Sequence, residues 1–218
     1  MARVGCIFGT ESGGSERHAR RLSKAWAAAG VKFDAGKDII AGNDAASMGL
    51  AAVVEKYDVL VIVTSSYGDG DPPSNYESFL RDLYVAEGTP FEGCQHCVLG
   101  FGSTDYETFQ NCPRLTDKLL GALGSRRMLA RVEIDENETL AGDAALAKWA
   151  ADVVKCFSSA AKTKGAADAC DWTVPCADVL DKKGDLVGGG GGGGAALPVV
   201  ALAVAGAAAA YYYMYMME

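Results

Sequence analysis

Residues 58–64 read Asp-Val-Leu-Val-Ile-Val-Thr, five consecutive aliphatic residues with no polar alternation. Successive side chains of a strand point to opposite faces, so a strand wetted on one side alternates apolar with polar residues. This run has no wet side. It demands cover on both faces, which places it at the centre of a parallel sheet between layers of helices. The remaining chain fits that frame, because short apolar runs bounded by turn residues alternate with longer segments of helical period. Five strand–helix units are predicted. The strands fall near residues 3–8, 31–34, 59–64, 97–101 and 128–134, and the helices near 15–29, 45–56, 76–85, 113–123 and 140–158. Glycines at 30, 88 and 124 follow helices directly, where a left-handed cap residue belongs.

In an open parallel sheet, ligands bind outside the carboxyl ends of the strands where strand order reverses. Three of this chain's loops lie at such ends. The first, Thr10, Glu11, Ser12, Gly13, Gly14 and Ser15, leaves a strand and opens a helix, so its backbone N–H groups and the helix start converge on one partly positive spot. A phosphate suits that spot, and the hydroxyls of Thr10, Ser12 and Ser15 add donors. No Lys or Arg lies in the loop, unlike a P-loop, and no G-x-G-x-x-G is present there. The second loop runs Ser65, Ser66, Tyr67, Gly68, Asp69, Gly70, Asp71 and two prolines. Tyr67 offers a flat face for a ring, and Gly68 leaves its peptide free to turn a carbonyl toward it. The third, from Gly100, Phe101 and Gly102 through Asp105 and Tyr106 to Phe109, offers a second tyrosine face with glycines that let backbone pass close by. A phosphate cradle and two ring platforms at neighbouring strand ends together describe a site for flavin mononucleotide.

These motifs resemble the flavodoxin family, and especially the FMN domains of diflavin reductases of the nitric oxide synthase and NADPH-haemoprotein reductase type, over about residues 3–160. Residues 10–15 correspond to the family's phosphate loop, 67–72 to its first ring-stacking loop and 100–109 to its second. Gly14 stands where Thr is commoner, a loss of at most one hydroxyl. The resemblance implies a five-stranded doubly wound parallel sheet of order 2-1-3-4-5 with FMN at the switch point between the first and third strands. It also implies one-electron transfer. No FAD-bearing module fits in the remaining residues, so electrons are expected from a separate reductase, NAD(P)H- or ferredoxin-linked. Asp69, Asp71, Asp105 and Glu107 would ring the exposed flavin edge and steer a basic partner.

Composition narrows the partners. A net charge of -8 and a pI near 4.8 argue against nucleic acid. Seven cysteines, an odd and scattered set, read as reduced thiols in a reducing compartment, cytosol or organelle interior. Cys94 and Cys97 flank His96 in a C-x-x-C, which has no second pair at ligand spacing, and Cys170 and Cys176 flank Trp172. The first strand begins at once, leaving no room for a cleavable leader on the chain as given.

Residues 1–160 are expected to form the FMN domain and 161–194 a polar, then glycine-rich linker whose seven glycines span roughly 15 Å. The 23 uncharged residues 195–217 are long enough to cross about 30 Å of hydrocarbon, with Tyr211, Tyr212, Tyr213 and Tyr215 at an interface. The expectation is therefore a single-pass, tail-anchored electron carrier serving a membrane-associated acceptor. The alternatives are an accessory subunit of a larger membrane complex, with flavin vestigial or structural, and an NAD(P)H:quinone reductase.

Overall fold

The computed structural model describes residues 2–28, 31, 33–160 and 180–187. Its sheet runs in the order β2-β1-β3-β4-β5, with strands β1 (Val4–Phe8), β2 (Ile39–Ala41), β3 (Val59–Ser65), β4 (Gln95–Gly102), β5 (Arg126–Arg127) and β6 (Val132–Asp135). All pairings are parallel, and β3 lies between β1 and β4. Val59, Val61 and Val63 enter one core, with Trp26, Trp149 and Phe157. Leu60 and Ile62 enter the other, with Tyr76, Phe79 and Leu115. The unbroken aliphatic run is thus accounted for residue by residue. One face is covered by α1 (Gly14–Ala28) and α6 (Thr139–Ala160), the other by α2 (Gly42–Met48), α3 (Leu50–Lys56), α4 (Glu77–Val85) and α5 (Asn111–Ala122).

Three elements depart from the expectation. The second strand is Ile39–Ala41, not 31–34, and Cys6 pairs with Ile39. Val31 and Phe33 alternate as a strand would, yet they are non-strand chain packed on the core, with the Phe33 ring edge-on to Trp26 at 5.2 Å. A turn follows, in which the Asp34 carboxylate accepts from the Gly36 amide at 3.0 Å and Asp38 accepts from the Asp34 amide at 2.9 Å. The helix expected over 45–56 is two, broken where Gly49 takes φ +80°. The fifth strand is also two pieces, β5 and β6, both lying beside β4. Between them Arg131 is buried, its guanidinium held by Asp117 at 2.5 Å and Glu133 at 2.8 Å.

Among the described residues no helix is long and apolar enough to cross a membrane. The longest helix, α6, carries Asp143, Lys148, Asp152 and Lys155 along its length. The tail 195–217, largely alanine and interrupted early by Pro198, lies outside the described residues, as do Cys170, Trp172 and Cys176. Among the described residues nothing supports the expected membrane-spanning helix, the tail anchor, the membrane location or the membrane-associated acceptor or complex. The chain divides into residues Met1–Gly188 and Gly189–Glu218. In the first unit a last short helix, α7 (Lys183–Val187), lies against α4.

A buried polar cluster fixes α5 to the sheet at the end remote from the three loops. His96 Nδ1 lies 2.7 Å from Ser125 Oγ and its Nε2 lies 3.0 Å from Asp117 Oδ1, while Arg127 and Arg131 donate to Asp117 at 2.6 and 2.5 Å. Ser, His and Asp thus meet, but all three are buried and both arginines already saturate the aspartate, so the arrangement is a structural tie. Burial alone would push the Asp117 carboxyl up. The hydrogen bond from His96 and the neighbouring Arg127 outweigh it and hold the group below the usual carboxylate range. His96 itself is pushed down by burial, against the pull of Asp117. A carboxylate with a depressed folded pKa contributes stability that is present above its unfolded pKa and is lost as pH falls through the folded value. Acidification below about pH 4 is therefore expected to cost the wild-type protein more stability than Asp117→Asn. At neutral pH that variant, with two guanidiniums left facing an amide, should lose about 3 kcal/mol in urea unfolding.

Candidate functional site

The three loops emerge at the carboxyl ends of β1, β3 and β4, and β1 is where the sheet order turns back. In the first loop Gly13 adopts φ +81° and α1 begins at Gly14. Thr10 and Ser15 are buried, Ser12 is exposed, and Gly13 and Gly14 are half-buried. Glu11 is an odd residue for an anion cradle, and the structure explains it. Its carboxylate accepts from the Ser74 amide and, at 3.2 Å, from the Ser74 hydroxyl, so the charge is spent on the next loop. Asn75 makes the parallel tie by accepting from the Thr10 amide at 2.9 Å. The absence of a cation within the loop is also made good. Arg17, one turn into α1, curls back so that its Nη1 is 3.5 Å from the Ser12 carbonyl and beside Gly13. Neither Asn75 nor Arg17 was among the sequence candidates. Arg17 follows Gly13 by four residues, one helical turn, and that spacing is the signal that could have found it.

The second loop closes on itself, with Tyr67 and Asp71 exchanging backbone hydrogen bonds at 2.9 and 2.8 Å. Gly68 at φ +48° and Gly70 at φ +84° make that reversal. Tyr67 stands out with 61% of its surface exposed. Ser65 ends β3 in register with Phe101, and the Ser66 hydroxyl accepts from the Cys112 amide at 2.9 Å. In the third loop Tyr106 is similarly open, at 57%. Asp105 is exposed, its amide donating to Ser103 Oγ at 3.1 Å. Asp135, at the end of β6, accepts from the Thr104 hydroxyl at 2.6 Å and from the Asn137 amide at 3.0 Å, and these bonds hold its carboxyl below the usual range. Thr108 ties the two loops together by donating to the Gly68 carbonyl at 3.3 Å.

Phe101 and Phe109 are placed differently from the tyrosines. The Phe101 ring is packed beneath His18 on α1, centroids 4.5 Å apart, so it can offer a ligand only main chain. Phe109 lies under the Arg114 guanidinium at 5.9 Å and backs Gly102, where a Cβ would meet its ring at 3.2 Å. Gly100 has still less room. A Cβ there would fall 2.8 Å from Pro113 and on top of Gln110 Oε1. The Cys94 and Cys97 pair lies away from the site. Cys94 and Cys97 are buried at the other end of β4, burial pushes the Cys94 thiol up to about 12, and no metal-binding group is present among the described residues. A cleft of about 610 Å³ at that same remote end is lined by Arg3, Asp34, Asp38, Lys56 and Tyr57. Its cations are already matched, Arg3 to Asp58 and Lys56 to Asp38.

An open α/β sheet of this order with an anion cradle and two exposed tyrosines at its switch point defines a flavodoxin-like electron-transfer protein. A family model described as Flavodoxin matches residues 6–149, and the chain belongs to that family. Curated relatives include the flavoprotein alpha-component of NADPH sulfite reductase from Klebsiella pneumoniae, 34% identical over 47% of this chain and 16% of that protein. The corresponding component from Salmonella typhimurium is 30% identical over 74% and 25%, and the methionine synthase reductase of Caenorhabditis elegans is 39% identical over 34% and 11%. The chain thus spans a quarter or less of the length of these relatives. Among solved structures, a flavodoxin from Pseudomonas aeruginosa superposes with a TM-score of 0.56 at 24% identity, over 71% of this chain and 98% of that one, and shows the shared fold. The protein is therefore related to the FMN domains of diflavin reductases, and its fold is the FMN-binding flavodoxin fold.

The ties from Glu11 and Asn75 make the first two loops one unit. Glu11→Ala combined with Asn75→Ala should raise amide exchange at Thr10 and Ser74 by roughly tenfold, about 1.4 kcal/mol of lost hydrogen bonding, while amides in β3 keep their protection.

Proposed function

We propose that this chain is an FMN-binding one-electron carrier that accepts electrons from a separate reductase and passes them to an acceptor protein. The observation that carries this reading is the pair of open tyrosines, Tyr67 and Tyr106, on loops leaving adjacent central strands, beside an anion cradle at the turn of the sheet order. When bound, FMN supplies the ability to take up and release electrons one at a time. In this reading the FMN phosphate is held by the Thr10, Ser12 and Ser15 hydroxyls and the amides of Gly13 and Gly14, with the Arg17 guanidinium neutralising part of its charge.

Tyr67 and Tyr106 would supply the stacking faces for the isoalloxazine ring. Gly68 places no side chain between its peptide and the ring edge, its carbonyl being steadied by the Thr108 hydroxyl, and the missing side chains of Gly70, Gly100 and Gly102 make room for Thr108 and Asn111, for Gln110 and Pro113, and for Phe109 behind the loops. Glu11, Ser65, Ser66, Phe101, Asp105 and Phe109 shape these loops, Glu11 by bonding to Ser74 and Ser66 by bonding to Cys112. Asp69, Asp105 and Glu107 are exposed around the tyrosines and give the rim a negative field suited to a basic face on a redox partner. Such a field raises the rate of encounter at low salt more than it raises affinity.

Titration of the FMN-free full chain with FMN, followed by stepwise reduction monitored by absorbance, tests the reading. Stoichiometric binding with two resolved one-electron steps is expected, and failure to retain FMN would sink the proposal. Tyr67→Ala and Tyr106→Ala should each weaken FMN binding by about three- to tenfold, the range that one stacking contact supplies.

A further inference from the structure

We propose that Lys182 is a positioning residue for the second loop, and that residues 180–187 form a clamp setting both the conformation of residues 67–71 and the charge they present to the flavin. The proposal deepens the FMN reading and rests on it for its redox consequence alone.

Lysine is almost never fully buried unless paired. Lys182 is 8% exposed, with its Nζ 2.9 Å from Asp71 Oδ1 and 3.8 Å from Asp185 Oδ2. Asp71 is the residue whose backbone closes the Tyr67 turn, so the ion pair grips the loop at its seam. A second grip lies beside it. Asn111, at the start of α5 and 3% exposed, accepts from the Leu180 amide at 2.9 Å and donates to the Gly70 carbonyl at 2.9 Å, with Leu180 O at 3.4 Å. One buried amide thereby joins the clamp to the left-handed glycine of the loop. The clamp has its own footing on α4, where the Lys182 amide donates to the Tyr84 hydroxyl at 3.1 Å, and Leu186 packs on the core of that face.

These contacts give Lys182 a defined task. The loop carries two carboxylates, Asp69 and Asp71, immediately beside the tyrosine that faces the ring. Lys182 cancels the second and leaves the first exposed. Without the ammonium, the seam of the turn would carry an unmatched negative charge, which opposes reduction of a ring that gains negative charge.

The test uses the full chain with Lys182→Met, Lys182→Arg, Asp71→Asn and the double variant Asp71→Asn/Lys182→Met. Hydrogen exchange on FMN-free protein reads the clamp directly. Lys182→Met should speed exchange of the Tyr67 and Asp71 amides at least fivefold, Lys182→Arg should restore protection, and amides in β1 and β3 should be unaffected. Asp71→Asn reaches the same pair from its exposed side without disturbing the buried lysine stem, and should loosen the same two amides. On FMN-loaded protein, the midpoint potential should move to more negative values in Lys182→Met and return toward wild type in the double variant. Unchanged exchange at Tyr67 and Asp71 in both Lys182→Met and Asp71→Asn would overturn the proposal. So would equal loosening in Lys182→Arg, which would assign the effect to packing rather than charge. A wild-type chain that does not retain FMN would remove the carrier reading and leave the exchange result on the clamp intact.

Discussion

The double burial of β3 is the constraint on which the rest of the molecule depends. Its aliphatic side chains divide alternately between two cores, Val59, Val61 and Val63 on one side and Leu60 and Ile62 on the other. Neither helical layer could be removed without exposing a row of these residues. Each is worth about 1.5–3 kcal/mol when fully buried. With β3 pinned at the centre, β1 and β4 fall into parallel register on either side. The three polar loops at the strand ends are then delivered to one rim of the sheet, and the site is a consequence of apolar packing several residues below it.

The parts of this architecture that were legible in the chain share a physical character. Residues 58–64 could be read because burial on both faces forbids polar alternation. The loops at 10–15, 67–71 and 100–106 could be placed at strand ends because their glycines and polar residues break off the apolar runs before them. The second strand could not be read, because Ile39, Ile40 and Ala41 are too few to show a period, whereas Val31 and Phe33 imitate one while serving as core ballast for Trp26. The split of the fifth strand depends on Arg131 meeting Asp117 and Glu133, a tertiary event with no local signature. A run of uncharged residues at 195–217 invited a membrane reading from its length and its terminal tyrosines, though alanine contributes little to insertion. Only the fold shows Lys182, which precedes the glycine run, to be buried.

Charges in and around the loops are handled in a consistent manner. Glu11 is turned onto Ser74, Asp71 is matched by Lys182, and Asp135 is occupied by Thr104 and Asn137. Each of these carboxylates would otherwise lie near the place proposed for a phosphate or an electron-rich ring. Asp69, Asp105 and Glu107 remain exposed.

The first turn of α5 joins two loops that leave different strands. The Cys112 amide reaches Ser66, Asn111 reaches Gly70, Gln110 packs against Gly100 from a left-handed backbone of φ +62°, and Thr108 just before it reaches Gly68. The loops carrying Tyr67 and Tyr106 are thereby mounted on a common frame, and their spacing is set by a helix. For the proposed carrier, loops tied in this way to one helix would keep their places as charge arrives, which holds the reorganisation energy of an electron transfer small.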